Sequence, residues 1–328
     1  KERPVAIMQD LQGPRIRTGA LEEEAVELKA GNKLSIEPGD FAGNADRIAT
    51  SYAELPEDVA AGDTILLNDG MIELRVEEVN PPIVRCLIVE GGRLAEHQGM
   101  NLPGVDLSTS APTEKDLDDL AFGIEHGVDY VALSFVRSAQ ELADLRQYIR
   151  RQSEYDLPLV AKIERPEAVE NIESILEETD AVMVARGDLG IEMPTEQVPI
   201  SQKRIIRQAN ARAVPVITAT QMLESMIENR RPTRAETTDV ANAVLDGTDA
   251  VMLSGETAIG RHPVQTVEVM ARIASQVERS LGGGPAPQLP DRGHGNFARQ
   301  HALARAACEV ALQVDARAIV VFTMTGAT

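Results

Sequence analysis

Charged and hydroxyl side chains recur directly after the apolar runs of this sequence, usually as pairs two residues apart. Side chains alternate faces along a strand, so residues i and i+2 point the same way. The pairs are Lys162 with Glu164, Arg186 with Asp188, Thr218 with Thr220, and Ser254 with Glu256, and Ser134 stands late in a further run. Carboxylates, an amine and hydroxyls are thus predicted to meet at the ends of several strands.

Two of these carboxylates have the chemistry of a metal site. Glu164 and Asp188 are hard oxygen ligands, which suit Mg²⁺ together with substrate oxygens and water. Lys162 is a mobile cation suited to stabilising an enolate or phosphoryl oxygens. The five histidines are scattered, so no zinc site is predicted. The alternative is a buried ion pair of Lys162 with Glu164 or Asp188 that serves packing only.

The glycines around Asp188 indicate a possible anion contact. In the segment from Ala185 to Gly190, Gly187 and Gly190 let backbone N–H groups approach a ligand, and a helix start adds a favourable dipole. Gly-Asp also makes ordinary turns, so this segment alone does not decide between the two.

The elements that position these residues are apolar strands alternating with amphipathic helical segments. Such alternation predicts βαβ units and a parallel sheet covered on both faces. The strand-like runs are Val5–Met8, Tyr130–Val136, Leu159–Ile163, Ala181–Val184, Val214–Ile217 and Ala250–Leu253. Six strands predict an eight-stranded α/β (TIM) barrel with two further strands before residue 1, and its active site lies at the carboxyl ends. An open doubly wound sheet is the alternative.

Some helix starts can be predicted from their end residues. Ser138 with Glu141, and Thr233 with Glu236, match the capping-box pattern. These pairs indicate helix ends and nothing more.

The organisation along the chain divides it into four segments. Residues 1–14 carry the third barrel strand, and residues 15–108 carry short alternating runs broken by turns, which predict an inserted all-β domain. Residues 109–281 hold the other barrel strands. Residues 282–328 comprise a linker, a helix over 297–314 and a strand over 318–322 that begin another α/β domain. Strands this close to both ends predict a piece of a longer protein.

Composition excludes several functional classes. The 328 residues carry 52 acidic and 32 basic side chains, a net charge of −20, which argues against nucleic-acid binding and a polybasic membrane anchor. No apolar run approaches the roughly 18 residues of a membrane span. Cys86 and Cys308 lie far apart, so a reducing cytoplasm is expected rather than a disulfide scaffold.

Several long segments together resemble the pyruvate kinase family. The resemblance covers essentially the whole chain and is weakest over residues 20–98. The segments that carry it are Asp10–Gly19, Asn101–Gly104, Lys162–Glu164, Met183–Glu192, Ala219–Met226, Arg231–Glu236, Asp239–Gly247 and Met252–Thr257.

The resemblance implies a barrel interrupted by a β lid, a C-terminal α/β domain, and the reaction of phosphoenolpyruvate with ADP to give pyruvate and ATP. Glu164 and Asp188 would hold Mg²⁺ or Mn²⁺, and Lys162 would neutralise the transferring phosphoryl group. Gly187, Asp188 and Thr220 would bind the substrate carboxylate, and Ser134 would line the substrate pocket. Thr220, Ser254 and Glu256 would lie on the route that protonates the enolate. Arg17 would contact the nucleotide phosphates.

Departures from the family pattern concern its cation and lid sites. The monovalent-cation position, Asp10 with Leu11, is followed by Arg15 where the family has an acidic residue or a lysine. Because Arg15 brings its own positive charge, the hypothesis is that K⁺ is not required. The basic pair of the lid is changed to His97-Gln98, so nucleotide contacts from the lid are in doubt.

The C-terminal turn resembles the family's sugar-phosphate effector loop. Its hydroxyl and glycine residues suit a phosphate, and they are Thr323, Thr325, Gly326 and Thr328. The family also implies a homotetramer. The alternatives are a metal-dependent barrel lyase or aldolase acting on phosphoenolpyruvate or pyruvate, and a non-catalytic homologue.

Overall fold

The protein is described by a computed structural model over residues 5–109, 111–281, 298–314, 316 and 318–320. The strands are β1 (Met8–Leu11), β2 (Ala25–Leu28), β3 (Lys33–Pro38), β4 (Arg47–Thr50), β5 (Thr64–Leu67), β6 (Ile72–Asn80), β7 (Ile83–Glu90), β8 (Gly92–Ala95), β9 (Met100–Asn101), β10 (Tyr130–Leu133), β11 (Leu159–Ile163), β12 (Ala181–Ala185), β13 (Val216–Ala219) and β14 (Ala250–Val251).

The helices lie mainly in the second part of the chain. They are α1 (Leu55–Asp58), α2 (Glu114–Glu125), α3 (Ala139–Gln152), α4 (Pro166–Glu170), α5 (Ile172–Glu178), α6 (Arg186–Glu192), α7 (Val198–Ala211), α8 (Arg234–Asp246), α9 (Gly255–Ala258), α10 (Pro263–Ser280) and α11 (Ala298–Gln313). The capping boxes predicted from Ser138 and Thr233 are confirmed, since the following glutamates accept the N-cap N–H groups. None of the described helices is both long and apolar enough to cross a bilayer.

Six strands form one parallel sheet in the order β1-β10-β11-β12-β13-β14, as predicted, and the sheet is of TIM-barrel type. Its two faces are buried differently because side chains alternate along each strand. Leu133 and Val184 pack outward against helix residues such as Ile205, whereas Ala132 and Met183 form a smaller cluster on the opposite face.

The first strand lies later in the chain than its apolar residues predicted. The run Val5–Met8 was expected to be the strand, but Val5 and Ile7 are 83% and 58% exposed. Pairing with β10 begins at Met8, and the buried residue of this strand is Leu11. Partner register, which hydrophobicity does not encode, therefore moves Asp10 into the strand itself.

The part of the chain that follows β1 and precedes α2 forms a second hydrophobic core. Strands β4, β3, β7, β6, β5 and β9 form a mostly antiparallel sheet, and β2 pairs with β8. Buried residues from Ile16 to Leu107 pack together in this part, which we call the β domain.

The last described part departs from the sequence prediction. Helix α11 lies where a helix was predicted. Residues 318–320, predicted as part of a strand, have no regular secondary structure, and their apolar side chains are not buried by any described element. The predicted linker over 282–297 and the turn over 323–328 lie outside the described residues.

Candidate active site

The ammonium group of Lys162 is the centre of the polar cluster at the carboxyl ends of the strands. Its Nζ atom lies 3.0 Å from Asp10 Oδ1, 2.7 Å from Ser134 Oγ and 3.0 Å from Glu164 Oε1. The side chain is only 9% exposed. Three neighbouring strands, β1, β10 and β11, therefore bring their ends to one buried cation.

The charge of Lys162 is maintained by its surroundings. Burial by itself would lower the pKa of this amine, but the carboxylates of Glu164 and Asp10 outweigh burial and raise it. Lys162 is therefore cationic at neutral pH and is held where it can stabilise negative charge on a ligand.

Glu164 is the most deeply buried carboxylate of the site, at 1% exposure. Burial raises its pKa to about 6; Lys162 opposes that rise and the charge of Asp188 adds to it. Its Oε2 atom accepts the backbone N–H of Phe135 at 2.7 Å. Phe135 has a left-handed φ of 56°, which is an unusual conformation for a bulky residue. In this conformation its N–H donates to Glu164.

Asp188 supplies the second carboxylate, from the first turn of α6. Burial raises its pKa, Lys162 and Arg15 oppose that rise, and Asp69 of the β domain adds to it. The charge of Asp188 raises the pKa of Glu164, so a divalent cation near these two carboxylates would stabilise their ionised forms. Among the described residues no group of three or more His, Cys, Asp or Glu side chains could hold a metal, so the protein offers two carboxylates. That donor set fits Mg²⁺, which keeps waters and substrate oxygens.

Thr220 faces Gly187 across the site. Its hydroxyl oxygen accepts the Gly187 N–H at 2.8 Å, and the hydroxyl donates to the Ala219 carbonyl at 2.7 Å. Thr220 has a φ of 65°, and the buried guanidinium of Arg186 donates to the carbonyl oxygens of Ala219 and Thr220. The predicted pair of Thr220 and Gly187 is thus brought together and held by Arg186.

Ser254 and Glu256 lie at the start of α9, where Glu256 is held by backbone N–H groups. Glu256 is 3% exposed and its two oxygens accept the backbone N–H groups of Leu223 and Ser254. Within the described residues no hydrogen bond joins either side chain to Thr220. The Ser254 hydroxyl is buried without a hydrogen-bond partner among those residues. Glu256 therefore organises the turn beside the site.

A cleft of about 350 Å³ separates the β domain from the barrel strands. Arg15, Arg17 and Asp188 line it, together with His97 and Gln98. Arg17 donates to the His97 carbonyl at 2.9 Å, which keeps its guanidinium at the cleft wall.

Asp10 and Leu11, which form the predicted monovalent-cation position, both lie in β1. Asp10 contacts Lys162, and Leu11 is 1% exposed within the barrel core with a hydrocarbon side chain that has no oxygen for a cation. The contact between Asp10 and Lys162 was not predicted, because the strand holding Asp10 was placed too early. The expected effector residues Thr323, Thr325, Gly326 and Thr328 lie outside the described residues.

Comparison with known proteins gives a consistent result. The family described as "Pyruvate kinase, barrel domain" matches residues 1–267. A pyruvate kinase of Mycobacterium tuberculosis is 46% identical over 327 residues, covering 99% of this chain and 68% of that protein. One from Thermococcus litoralis is 46% identical over 330 residues, covering 100% of this chain and 69% of that protein. A crystal structure of a pyruvate kinase from Cryptosporidium parvum superposes with a TM-score of 0.84 at 40% identity, covering 94% of this chain and 65% of that one.

Proposed function

Because the chain belongs to the pyruvate kinase family of phosphotransferases, we propose that its site transfers the phosphoryl group of phosphoenolpyruvate to ADP. The bond from phosphorus to the enol oxygen breaks, a terminal oxygen of ADP bonds to phosphorus, and the enolate takes a proton at C3 to become pyruvate. The observation that carries the proposal is the buried Lys162 cation held among Asp10, Ser134 and Glu164.

Lys162 is proposed to neutralise negative charge as it moves from the phosphoryl group to the enolate oxygen. A fixed cation in a site shielded from water stabilises developing charge without having to reorganise. Ser134 supports this role by accepting a hydrogen bond from Lys162, and it is proposed to line the substrate pocket. Phosphoryl transfer depends on such positioning and charge neutralisation rather than on a covalent intermediate.

Glu164 and Asp188 are proposed to hold Mg²⁺ or Mn²⁺. Burial raises the pKa of both carboxyl groups, and the charge of Asp188 further raises that of Glu164, which supports a cation bound between the ionised forms. The metal, when bound, would neutralise phosphoryl and enolate oxygens as a Lewis acid. The protein residues fix where those oxygens lie.

Gly187, Asp188 and Thr220 are proposed to bind the substrate carboxylate, and Thr220 to lie on the route that protonates the enolate. The Gly187 N–H donates to the Thr220 hydroxyl oxygen. A substrate carboxylate would replace that hydroxyl as the acceptor of the Gly187 N–H and leave the Thr220 oxygen free to accept a hydrogen bond from another donor. Ser254 and Glu256 are proposed to lie behind Thr220 on the same proton route, with Glu256 held in place by the backbone N–H groups of Leu223 and Ser254.

Arg15 is proposed to take the place of a monovalent cation, so K⁺ is not required. Its charge lies close enough to Asp188 to oppose the rise in the pKa of that carboxyl. Leu11 is buried and apolar, which supports the same proposal.

Nucleotide binding is proposed at Arg17, which lines the cleft between the β domain and the barrel.

The remaining proposals rest on family membership: a homotetramer in the cytoplasm, and an activating sugar phosphate at Thr323, Thr325, Gly326 and Thr328. Unchanged kinetics with sugar phosphates, and for Thr325→Glu, would contradict the effector proposal.

The test is ATP formation from phosphoenolpyruvate and ADP with Mg²⁺, with and without K⁺, using the full-length protein. Turnover that requires Mg²⁺ but not K⁺ is expected. Turnover only with K⁺ would keep the activity and refute the role of Arg15. No turnover by folded protein would favour the lyase or the non-catalytic alternative.

A further inference from the structure

A buried ion pair lies beside the proposed metal ligands and has no role in the mechanism above. Arg165 directly follows Glu164 after β11, and Glu192 ends α6 one helical turn after Asp188. Arg165 Nη2 lies 3.7 Å from Glu192 Oε2, and the two side chains are 4% and 3% exposed. Each member of the pair is thus attached to an element that carries one of the two carboxylates.

Both members of the pair also contact the β domain. Asn101 Nδ2 donates to Glu192 Oε1 at 3.1 Å, and Arg165 Nη2 donates to the Val105 carbonyl at 3.3 Å. Asn101 belongs to β9, which pairs with β5, and Val105 is buried in the core of the β domain. We call Arg165, Glu192, Asn101 and Val105 the interdomain cluster.

One atom of the interdomain cluster is unsatisfied. Glu192 Oε2 is buried and has no hydrogen-bond partner among the described residues. At 3.7 Å, the Arg165 guanidinium is too distant for a hydrogen bond. A movement of about 1 Å would bring the two groups to the distance of a charge-assisted hydrogen bond. The cluster therefore has a second, tighter arrangement within reach.

We propose that Arg165, Glu192 and Asn101 are positioning residues that set the β domain over the cleft according to what is bound at Glu164 and Asp188. Glu164 and Asp188 would hold the divalent cation, and a change in the spacing of these carboxylates would move the end of β11 relative to α6. The Arg165–Glu192 pair then tightens and carries Asn101 and Val105 with it. This inference rests on the proposed function, because it uses the same metal site.

The first test follows backbone hydrogen exchange with and without Mn²⁺, in the full chain and without substrates. Mn²⁺ is expected to slow exchange over residues 99–105 of the unaltered chain. At a Mn²⁺ concentration that saturates both proteins, Glu192→Gln is expected to bind the ion, measured as loss of the free-ion paramagnetic resonance signal, but to lose that slowing. The readout is independent of turnover.

The matched control is Glu167→Gln. Glu167 is also paired with Arg165, at 3.4 Å, but it is 39% exposed and makes no contact with the β domain among the hydrogen bonds of the described residues. This variant is expected to retain the slowing. Asn101→Ala leaves the backbone pairing of β9 intact and is expected to lose the Mn²⁺-dependent slowing. This variant serves as the test if Glu192→Gln does not fold.

A second test uses the half-saturating Mg²⁺ concentration for turnover. Changing a group that orients metal ligands costs roughly tenfold in metal affinity, so Glu192→Gln is expected to raise this concentration about tenfold. Arg165→Lys, which keeps the charge, is expected to fall between Glu192→Gln and the unaltered chain.

Three results would overturn the inference. The first is equal Mn²⁺-dependent slowing of exchange in Glu192→Gln and the unaltered chain. The second is loss of this slowing in Glu167→Gln to the same extent as in Glu192→Gln. Failure of the unaltered chain to bind Mn²⁺ would refute the metal assignment and this inference with it. Absence of turnover with Mn²⁺-dependent slowing intact would instead count against the proposed function alone.

Discussion

The ammonium of Lys162 lies 3.0 Å from a carboxylate oxygen of Glu164, and the two side chains are 9% and 1% exposed. A buried ion pair of this kind is costly to break, because either partner alone is an uncompensated charge. The same pair stands at the carboxyl end of β11, where the sheet brings Asp10 and Ser134 to it. The structural role of this contact and the chemical role proposed for it can be separated by variants.

Lys162→Met is expected to reduce turnover by about 10²- to 10³-fold, the usual effect of removing a group that stabilises developing charge. It is also expected to lower the free energy of unfolding by about 3–5 kcal/mol, because Glu164 is left buried without its cation. The double variant Lys162→Met/Glu164→Gln is expected to recover much of the stability and none of the activity. Urea unfolding and steady-state kinetics on the same samples provide the measurements. Recovery of activity in the double variant would contradict a direct role for Lys162.

Asp188→Asn is expected to weaken Mn²⁺ binding, because the site then retains only one carboxylate from the protein. Loss of a metal ligand should cost at least the roughly 10- to 100-fold seen for groups that merely orient ligands. Titration of Mn²⁺ followed by paramagnetic resonance gives the affinity. The control is Asp156→Asn, whose carboxylate is 54% exposed and pairs with Arg150 away from the site. Equal affinities in the two variants would remove Asp188 from the metal site.

Glu164 is expected to make the metal-free protein less stable as pH rises. Its pKa is raised from 4.5 to about 6 by burial, so the folded chain binds this proton more tightly than the unfolded chain. That stabilisation is complete below pH 4.5 and is lost as pH rises through about 6. The shift corresponds to about 2 kcal/mol. Unfolding free energies of the unaltered chain and Glu164→Gln, measured between these pH values and neutrality, should diverge accordingly.

The control for this pH dependence has the opposite sign. Burial would raise the pKa of Glu236, but hydrogen bonds from Ser225 and Thr233 outweigh burial and lower it. Glu236→Gln should therefore remove stability that is present above the ordinary glutamate pKa and lost as pH falls. A pH profile of Glu164→Gln that parallels the unaltered chain would show that Glu164 is not the group responsible.

Mn²⁺ binding is expected to weaken below about pH 6, because the metal competes with the proton on Glu164. Affinities measured by titration at pH values on both sides of this point provide the test. An affinity independent of pH over this range would mean that Glu164 is not a ligand.

Arg15→Glu is expected to make turnover depend on K⁺, since the fixed positive charge near Asp188 is replaced by a carboxylate. The unaltered chain is expected to turn over equally in potassium and tetramethylammonium buffers. The control is Arg93→Glu, which makes the same change of charge on β8, in the two-stranded sheet of the β domain. This variant should leave turnover independent of K⁺. Activation of the unaltered chain by K⁺ would refute the proposal.

Local patterns were read correctly where neighbours in sequence decide the structure. The parallel strands follow from near-continuous apolar runs, and the helix starts at Ser138 and Thr233 follow from an acceptor three residues later. The early placement of β1 failed because Val5 and Ile7 are apolar but exposed. An apolar run marks a strand, but pairing with Tyr130–Leu133 decides where that strand begins.

The sequence by itself determined which groups stand at the strand ends, because the two-residue period of a strand sends Lys162 and Glu164 to the same face. Only the tertiary structure decided what those groups meet. Asp10 reaches Lys162 across 152 positions, and Asn101 reaches Glu192 across 91. Such contacts depend on strand register and on how the β domain packs against the barrel. Both are properties of the whole fold that short-range patterns do not contain.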